Sequence, residues 1–351
     1  MISHISTSAF DGGSAISARR IHSQLLSKSY ESLMFVGGEF DYQKKIYSLT
    51  NFPFLKKVDY FVNIFMNKLG LQYFFIPSNI KLNGLLNNSS IIQLYNLHGG
   101  YFQLSLLKKL DNIAPLVWRL SDYWAMTGHC AYPGDCQKWK TICKSCPDLK
   151  TYPSIGLDNT KLVWETKKRL ISNLNLSIVV PSNSLFKKVK NSPILKDKKI
   201  FIIPNGVDTK KFSPLSKNTA RKNIKIKDKF SILFIAQVAF NNYRKGTHIL
   251  EMVLEKFKNR NDIQFLIAGV DSKHWKKKFS KNVVTFDYNN NDKWKKNLYN
   301  SADLLIFPSI NENFPNVLLE SMSCGLPALS FNFGGVNEII DKETGIIIKD
   351  N

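Results

Sequence analysis

The most informative stretch of the chain is NENFPNVLLESMSCGLPALSFNFGGVNE, residues Asn311–Glu338. It places Glu312 eight residues before Glu320, with a helix start between them. The strand that follows the helix is followed in turn by Gly334-Gly335, which predicts a turn. Carboxylates accept hydrogen bonds from hydroxyl groups, and the amides of a helix N-terminus bind anions. The arrangement therefore predicts a site for a sugar nucleotide.

The helix in this stretch is predicted from about Pro315 to Ser323, after a strand over Leu304–Phe307. Proline suits a first helical turn because its missing N–H would be unpaired there anyway. The amides of Asn316 and Val317 are then expected to point at an anion, a contact worth about 0.3–2 kcal/mol. The alternative is a pair of solvated glutamates. We reject it because a strand, a Phe-Pro step and a Gly-Gly turn surround the two carboxylates. Both carboxylates are expected to face one crevice.

Short apolar runs alternate with helical patterns along the rest of the chain. Near-continuous apolar strands are typical of parallel sheets that are covered on both faces, so the pattern predicts a doubly wound α/β fold. The predicted strands are Ile2–Ser6, Leu33–Val36, Ile91–Leu94, Leu116–Leu120, Ser177–Val180, Ile232–Ala236, Ile263–Ala268, Val283–Phe286, Leu304–Phe307, Ala328–Phe331 and Gly345–Ile348.

The length of 351 residues favours two domains. Turn residues and a polar, charged stretch between Ile203 and Phe230 indicate the break, which gives domains over residues 1–205 and 206–351. Ligands of open α/β sheets bind at the carboxyl ends of the strands. The two domains are therefore expected to face each other across a ligand-binding cleft.

A second candidate motif is ILFIAQVAFNNYRKG, residues Ile232–Gly246. A buried strand runs into a polar loop, and Arg244-Lys245-Gly246 opens the next helix. The cationic pair could neutralise charge on a departing diphosphate, a contact worth about 3–4 kcal/mol of barrier. The alternative is a solvated Arg-Lys pair before a glycine cap.

A third candidate, Asp11-Gly12-Gly13-Ser14, lies between the first strand and a helix. Glycines let a ligand approach the backbone closely. A plain turn explains the pair Gly12 and Gly13 equally well.

The formal charge of +22 suggests nucleic acid as a partner. Lysines far outnumber arginines and are spread along the chain, which favours a solvated lysine-rich surface instead. Attraction to an anionic membrane face is compatible with that interpretation. Residues Phe54–Leu69 show apolar side chains on one helical face, which predicts either an interfacial membrane helix or a helix packed on its own domain.

Four of the five cysteines are clustered, with the pattern C-x5-C-x6-C-x2-C. In a cytosolic chain this clustering suggests a metal more than disulfides, and the last pair has the spacing of a zinc knuckle. The alternative is a reduced, cysteine-rich loop over residues 129–147 without an ion. The candidate ligands of a structural zinc are Cys130, Cys136, Cys143 and Cys146.

No apolar run reaches the roughly 18 residues that span a bilayer, and the first residues show no secretion signal. We therefore expect a cytoplasmic protein that can attach peripherally to the inner face of the cytoplasmic membrane.

The chain resembles bacterial family-4 glycosyltransferases with the GT-B fold. The resemblance is carried by DGGSA, VVPSNSLF, IFIIPNGVDTKKFSP, the RKG loop and the E-x7-E block with GGVNEII. The stretch WRLSDYWAMTGHCAYPGDCQKWKTICKSCP is similar to a subgroup associated with polysaccharide biosynthesis. The resemblance implies a retaining transfer of a sugar from a nucleotide donor to a glycan or lipid-linked acceptor, with no divalent ion at the catalytic centre.

The resemblance also implies roles for individual residues. Lys245 would contact the donor diphosphate, Glu312 the sugar hydroxyls and Glu320 the ribose. Asn313 and Pro315 belong to the same donor-binding segment. The remaining donor contacts would come from the amides of Phe314, Asn316 and Val317 and from close approach at Gly12 and Gly13.

The sequence departs from the family at three places. Ala236-Gln237 replaces a Gly-Arg pair, so Arg244 is a candidate for the missing cation. Ser121 stands where many relatives have histidine, which makes Ser121 and Asp122 the acceptor-side candidates. The usual closing helix at the end is not seen in the sequence. The alternative to an enzyme is therefore a truncated, inactive nucleotide- or glycan-binding protein, and a nucleic-acid binder ranks last.

Overall fold

The computed structural model describes residues 1–348, and these divide into two compact units after Pro204. Each unit contains one parallel sheet with helices. This confirms the predicted α/β class, and every strand predicted from the sequence is present. The end of the predicted second domain, residues 349–351, lies outside the described residues.

The first unit is built on a seven-stranded parallel sheet in the order β3-β2-β1-β4-β5-β6-β7. Its strands are β1 Ile2–Ser6, β2 Ser32–Val36, β3 Ile46–Ser48, β4 Ile91–Leu94, β5 Leu116–Arg119, β6 Leu176–Val180 and β7 Lys199–Ile202. Its helices are α1 Gly13–Ser27, α2 Lys56–Lys68, α3 Leu106–Asp111, α4 Thr160–Ser172 and α5 Asn183–Lys190.

The helix predicted over Phe54–Leu69 is shorter in the structure. A 3-10 turn over Pro53–Leu55 precedes α2, which ends at Lys68. At 13 residues α2 is about 20 Å long, less than the roughly 30 Å of a bilayer core. No helix among residues 1–348 is long and apolar enough to cross a membrane.

The second unit contains a six-stranded parallel sheet in the order β10-β9-β8-β11-β12-β13. Its strands are β8 Phe230–Val238, β9 Ile263–Val270, β10 Val283–Phe286, β11 Leu304–Phe307, β12 Ala328–Phe331 and β13 Gly345–Ile348. Its helices are α6 Lys217–Ile224, α7 Thr247–Phe257, α8 Lys273–Lys278, α9 Asp292–Ser301 and α10 Asn316–Ser323.

The sheet of the second unit is covered on both faces, as its apolar strands predict. Successive residues of β8 belong to different clusters: Leu233 packs with Phe212 and Leu305, whereas Phe234 packs with Ile267 and Trp275. A strand buried on both sides cannot alternate apolar with polar residues, which explains the continuous run.

The strand order also fixes where a ligand can bind. Counted within the second unit, the order is 3-2-1-4-5-6, and the direction of winding reverses between β8 and β11. Ligands of doubly wound sheets bind outside the carboxyl ends of the strands at such a reversal. The two segments that leave these ends are the loops carrying the Arg-Lys pair and the first glutamate of the E-x7-E block.

Candidate functional site

The Arg-Lys pair lies in a tight turn after β8. Residues Tyr243–Lys245 form a 3-10 turn, and the side chain of Asn242 accepts a hydrogen bond from the backbone N–H of Lys245. Gly246 follows with a φ of 71°, and α7 begins directly after it. A Cβ atom at Gly246 would lie 1.9 Å from the carbonyl oxygen of Pro308. Glycine is therefore required here, because the turn passes directly against the segment that leaves β11.

The loop after β11 is also held by backbone hydrogen bonds and by a close approach of a glycine. The N–H of Ile310 donates to the carbonyl oxygen of Arg244 at 3.0 Å, which ties the two loops together. Gly334 has a φ of 54°, and a Cβ there would lie 1.8 Å from the carbonyl oxygen of Glu312. Gly335 donates its N–H to the carbonyl of Asn313 at 2.9 Å. The predicted Gly-Gly turn thus supports the backbone that carries Glu312.

Three charged side chains meet between these loops. Arg244 donates from Nη1 to Oε1 of Glu312 at 2.6 Å and to the carbonyl oxygen of Asn311 at 3.2 Å. Lys245 donates from Nζ to the same carboxylate oxygen. The side chains of Glu312 and Lys245 are only 14% and 18% exposed. We call Arg244, Lys245 and Glu312 the charge cluster.

Burial and charge act against each other in the charge cluster. Burial by itself raises the pKa of Glu312, but Lys245 and Arg244 outweigh it, so the pKa of this carboxyl lies below its usual value. Burial lowers the pKa of Lys245, although Glu312 acts in the opposite direction. Two cationic side chains share one carboxylate, so the cluster has a formal charge of +1 and can attract an anion.

The helix after Glu312 begins one residue later than predicted. Pro315 has a ψ of 123° and caps α10 in an extended conformation, so the first helical residue is Asn316. The side chain of Pro315 makes no capping hydrogen bond. Asn205 donates from Nδ2 to the carbonyl of Phe314 at 3.0 Å and to Oδ1 of Asn316 at 3.1 Å. Asn205 belongs to the IPNGVD segment, and no pattern in the sequence predicts that it lies beside α10.

The second glutamate of the E-x7-E block has its own partners. Glu320 is buried in α10, and its Oε2 accepts a hydrogen bond from the hydroxyl of Tyr299 at 2.8 Å. Its Oε1 lies 3.6 Å from Nζ of Lys295, which also approaches Asp292 at 3.5 Å. Both partners come from α9, a helix in which sequence reasoning identified no functional residue. That Glu312 and Glu320 face one crevice stays a prediction.

In the first unit, the structure joins two of the predicted segments. Gly12 caps α1 with a φ of 88°, a value that favours glycine, and Gly13 is the first residue of the helix. Ser121 donates from Oγ to the hydroxyl oxygen of Ser14 at 2.9 Å. The acceptor-side candidate after β5 therefore touches the glycine turn after β1.

Asp122 forms a buried pair with a histidine that sequence reasoning missed. Oδ2 of Asp122 lies 2.8 Å from Nε2 of His98, and Oδ1 accepts a hydrogen bond from the N–H of Trp124 at 2.9 Å. The hydroxyl of Tyr152 lies 3.3 Å from Nδ1 of the same histidine. His98 follows β4, the strand next to β1. Its position after a predicted strand was the one signal in the sequence that could have identified it as a site residue.

A cavity of about 630 Å³ lies at the carboxyl ends of β1 to β4. Thr7 follows β1, Gly37 follows β2 and Gly99 follows β4, and all three line the cavity. Phenol and amide side chains add a mixed aromatic and polar wall, contributed by Tyr60, Asn63, Tyr73, Tyr101 and Tyr152. A wall of this kind suits a sugar, which has apolar faces and polar edges.

The four clustered cysteines lie around one small cavity together with His129, whose Nε2 is 3.3 Å from Sγ of Cys146. Burial raises the pKa of Cys130 to about 12 and of Cys143 to about 11, whereas zinc binds thiolates. Within residues 1–348 no three His, Cys, Asp or Glu side chains are arranged to hold a metal ion. The binding of a structural zinc stays a prediction for the four cysteines, Cys130, Cys136, Cys143 and Cys146. Stoichiometric metal in the reduced protein would support it, and less would remove it.

The chain is similar to known glycosyltransferases. Residues 216–351 match the family model described as glycosyl transferases group 1. The chain is 25% identical over 360 residues to the putative colanic acid biosynthesis glycosyl transferase WcaC of Escherichia coli K12, covering 97% of this chain and 85% of WcaC.

Two solved structures share the fold over nearly the whole chain. The glycosyltransferase WaaG, involved in lipopolysaccharide biosynthesis, has a TM-score of 0.60 at 16% identity and covers 100% of this chain and 86% of WaaG. Anabaena Alr3699/HepE in complex with UDP-glucose has a TM-score of 0.61 at 14% identity, with 99% and 85% covered. The predicted GT-B fold and the predicted resemblance are confirmed.

Proposed function

We propose that this chain, a glycosyltransferase of the GT-B fold, moves a sugar from a nucleotide-sugar donor to a glycan or lipid-linked acceptor in cell-surface polysaccharide biosynthesis, with retention of anomeric configuration. The observation that carries the proposal is the charge cluster at the winding reversal of the second sheet. The nucleotide-sugar donor also draws support from HepE, whose structure holds UDP-glucose. The proposed compartment is the cytoplasm.

The proposed role of Arg244 and Lys245 is to hold the donor diphosphate. Breaking the bond between the sugar and the diphosphate leaves negative charge on the departing oxygen. Fixed cations stabilise that charge more in the transition state than in the ground state, which lowers the barrier. The N-terminus of α10 adds the partial positive charge of a helix end, and the amides of Phe314, Asn316 and Val317 are the proposed donors there.

The proposed role of Glu312 is to bind the hydroxyls of the transferred sugar. Its carboxylate is kept ionised by its two cationic partners, so it can only accept hydrogen bonds. The sugar hydroxyls would donate to the carboxylate while the diphosphate attracts the cations. Asn313 and Pro315 shape the same loop. Glu320, oriented by Tyr299, is the proposed acceptor of hydrogen bonds from the ribose.

The proposed reaction exchanges one bond at the anomeric carbon for another on the same face. The bond to the diphosphate oxygen breaks, and the bond to the acceptor oxygen forms. The acceptor hydroxyl proton passes to the departing phosphate oxygen, so atoms and charge balance without a separate base. Ser121 and Asp122, with His98, are the proposed groups that position the acceptor, and Gly12 and Gly13 let a ligand approach the backbone of the first unit closely.

A panel of nucleotide sugars tests the donor site by thermal denaturation. A donor at a concentration of 100 Kd should add about 2.7 kcal/mol to the unfolding free energy, because it binds only the folded state. The free sugar and the matching nucleoside monophosphate serve as ligand controls. Lys245→Met should weaken the shift, and Lys256→Met on the exposed face of α7 should not. If no nucleotide sugar raises the melting temperature, the proposal is wrong. Binding without release of nucleoside diphosphate would instead favour a non-catalytic binding protein.

A further inference from the structure

Helix α2 is amphipathic in the reverse sense of an ordinary surface helix. Phe54, Phe61 and Phe65 are 73%, 69% and 61% exposed, and Val58 between them is also exposed. Phe54 lies in the 3-10 turn that leads into α2, and the spacing of three and four residues puts Val58, Phe61 and Phe65 on one face of the helix. A surface helix of a globular protein normally turns such a face to the core. Here the apolar face is turned to solvent, so α2 presents an uncovered apolar surface.

The opposite face of α2 is polar and is fixed to the domain by hydrogen bonds. Asn63 donates from Nδ2 to the carbonyl of Gly100 at 2.6 Å, and Asn67 accepts the N–H of Gly156 at 2.9 Å through its carbonyl oxygen. Asp59 is buried and accepts the N–H of Ser78 at 2.9 Å. The helix is therefore anchored in its observed orientation, and rotating it to bury the phenylalanines would break these contacts.

The turn next to α2 carries a further exposed apolar side chain. A 3-10 turn over Pro77–Ile80 packs against α2, and the side chain of Ile80 at its end is exposed. Contiguous exposed apolar surface on a soluble domain marks an interaction site more often than a solvated face. We call Phe54, Val58, Phe61, Phe65 and Ile80 the apolar patch.

The charges next to the apolar patch are positive. Lys57 and Lys68 on α2 and Lys81 after the 3-10 turn are all exposed. The only acidic residue in the α2 sequence is Asp59, and it is buried. Together with the net charge of +22, this pattern is complementary to a surface that is apolar inside and anionic outside. An anionic lipid leaflet has that structure.

We propose that α2 docks on an anionic lipid bilayer, with its phenylalanines at the boundary between headgroups and acyl chains and its lysines at the lipid phosphates. The helix is too short to span a bilayer but suits a position parallel to the surface. Lys57 and Lys68 flank the phenylalanines at either end of the helix, so both charges reach the headgroups in that orientation.

This docking has a consequence for the acceptor, which rests on the proposed function. Tyr60, Asn63 and Asn67 of α2 line the 630 Å³ cavity, while the other side of the helix carries the apolar patch. One helix diameter, about 10 Å, would then separate the cavity from the bilayer. Such a cavity is placed for an acceptor whose sugar is attached to a membrane lipid, which favours a lipid-linked acceptor over a free glycan.

Sedimentation with vesicles tests the docking without any need for sugar transfer. The full chain is mixed with vesicles of phosphatidylglycerol and phosphatidylcholine, or of phosphatidylcholine alone, at low and high salt. We expect binding to the anionic vesicles that weakens with salt. The double variant Phe61→Ser with Phe65→Ser should bind at least tenfold more weakly. Lys57→Glu with Lys68→Glu should lose the preference for anionic lipid.

A matched control removes two exposed phenylalanines elsewhere, with Phe201→Ser and Phe230→Ser. This variant should bind vesicles like the parent chain, and unchanged circular dichroism of every variant establishes that it is folded. Equal vesicle binding by the parent and the Phe61/Phe65 variant would overturn the proposal. So would a dimer in solution that the same two substitutions dissociate, because a second copy would then be the occupant. Failure of the donor panel would leave this result unaffected.

Discussion

Glu312→Gln removes the one carboxylate of the charge cluster and leaves its shape almost unchanged. At the 2.6 Å between Arg244 Nη1 and Glu312 Oε1, two unit charges attract by about 6 kcal/mol at an effective dielectric constant of 20. Desolvation of the buried charges offsets much of that attraction. Removal of one partner of a buried ion pair costs about 3–5 kcal/mol, because the remaining charge is left uncompensated.

The cluster is partly open to solvent, so we expect the low end of this range, about 3 kcal/mol of unfolding free energy. For a unit of this size the loss corresponds to a fall in melting temperature of about 6–12 °C. Differential scanning calorimetry of parent and variant measures it. A nucleoside diphosphate should restore part of the loss, because its negative charge takes the place of the carboxylate.

The difference in unfolding free energy between the parent and Glu312→Gln should depend on pH. The pKa of Glu312 is lower in the folded protein than in the unfolded chain, so its contribution is present above the unfolded pKa. The contribution is lost as pH falls through the lower, folded pKa. The gap in stability between parent and variant should therefore narrow in acid.

The control is Glu255→Gln, which removes an exposed carboxylate that pairs with Lys258 at the surface. It should change stability by less than about 1 kcal/mol. If Glu312→Gln is as stable as Glu255→Gln, and a nucleoside diphosphate stabilises parent and variant equally, the electrostatic account of the charge cluster is wrong.

Three further predictions concern other parts of the chain. Lys167 is fully buried and burial lowers its pKa to about 7, so between pH 7 and 8.5 the unfolded chain binds more protons than the folded protein. In urea denaturation, the unfolding free energy of the parent should therefore rise by up to about 1.4 kcal/mol per pH unit relative to that of Lys167→Met. The variant Lys168→Met, at an exposed position, should keep the parent's slope. Gly334→Ala should lower the unfolding free energy by about 1–3 kcal/mol or more, because it combines a positive φ with a backbone clash. A loss of unfolding free energy below about 0.5 kcal/mol would contradict the loop packing. Tyr299→Phe should weaken nucleoside diphosphate binding in calorimetry and leave free-sugar binding unchanged; equal affinities would remove Tyr299 from the ribose site.

The sequence predicted most of the fold because the strands are apolar and bounded by turn residues. The two strands it missed lack that signal. β3, Ile46–Ser48, has only three residues, and β7, Lys199–Ile202, is an edge strand whose side chains are largely exposed. Residue type alone could not distinguish them from loops.

The candidate site was predicted residue by residue, but its contacts were not. That Arg244 meets Glu312 follows from the pairing of β8 with β11, and strand order is not encoded in local pattern. Lys295 and Tyr299 lie on a helix with no motif, so their contacts with Glu320 depend on how α9 packs against α10. His98 belongs to no motif in the sequence, and it is the order of the strands in the sheet that brings it to Asp122.

The most direct test of the account is the rate at which nucleoside diphosphate is released from the donor that the panel identifies. The account predicts that Lys245→Met lowers kcat by about 10²–10³, as expected for the loss of one preorganised contact to the departing charge, while Lys256→Met keeps the parent rate. Glu312→Gln should also release nucleoside diphosphate more slowly than the parent. Parent rates in both Lys245→Met and Glu312→Gln would contradict the claim that the charge cluster is where the sugar leaves its nucleotide.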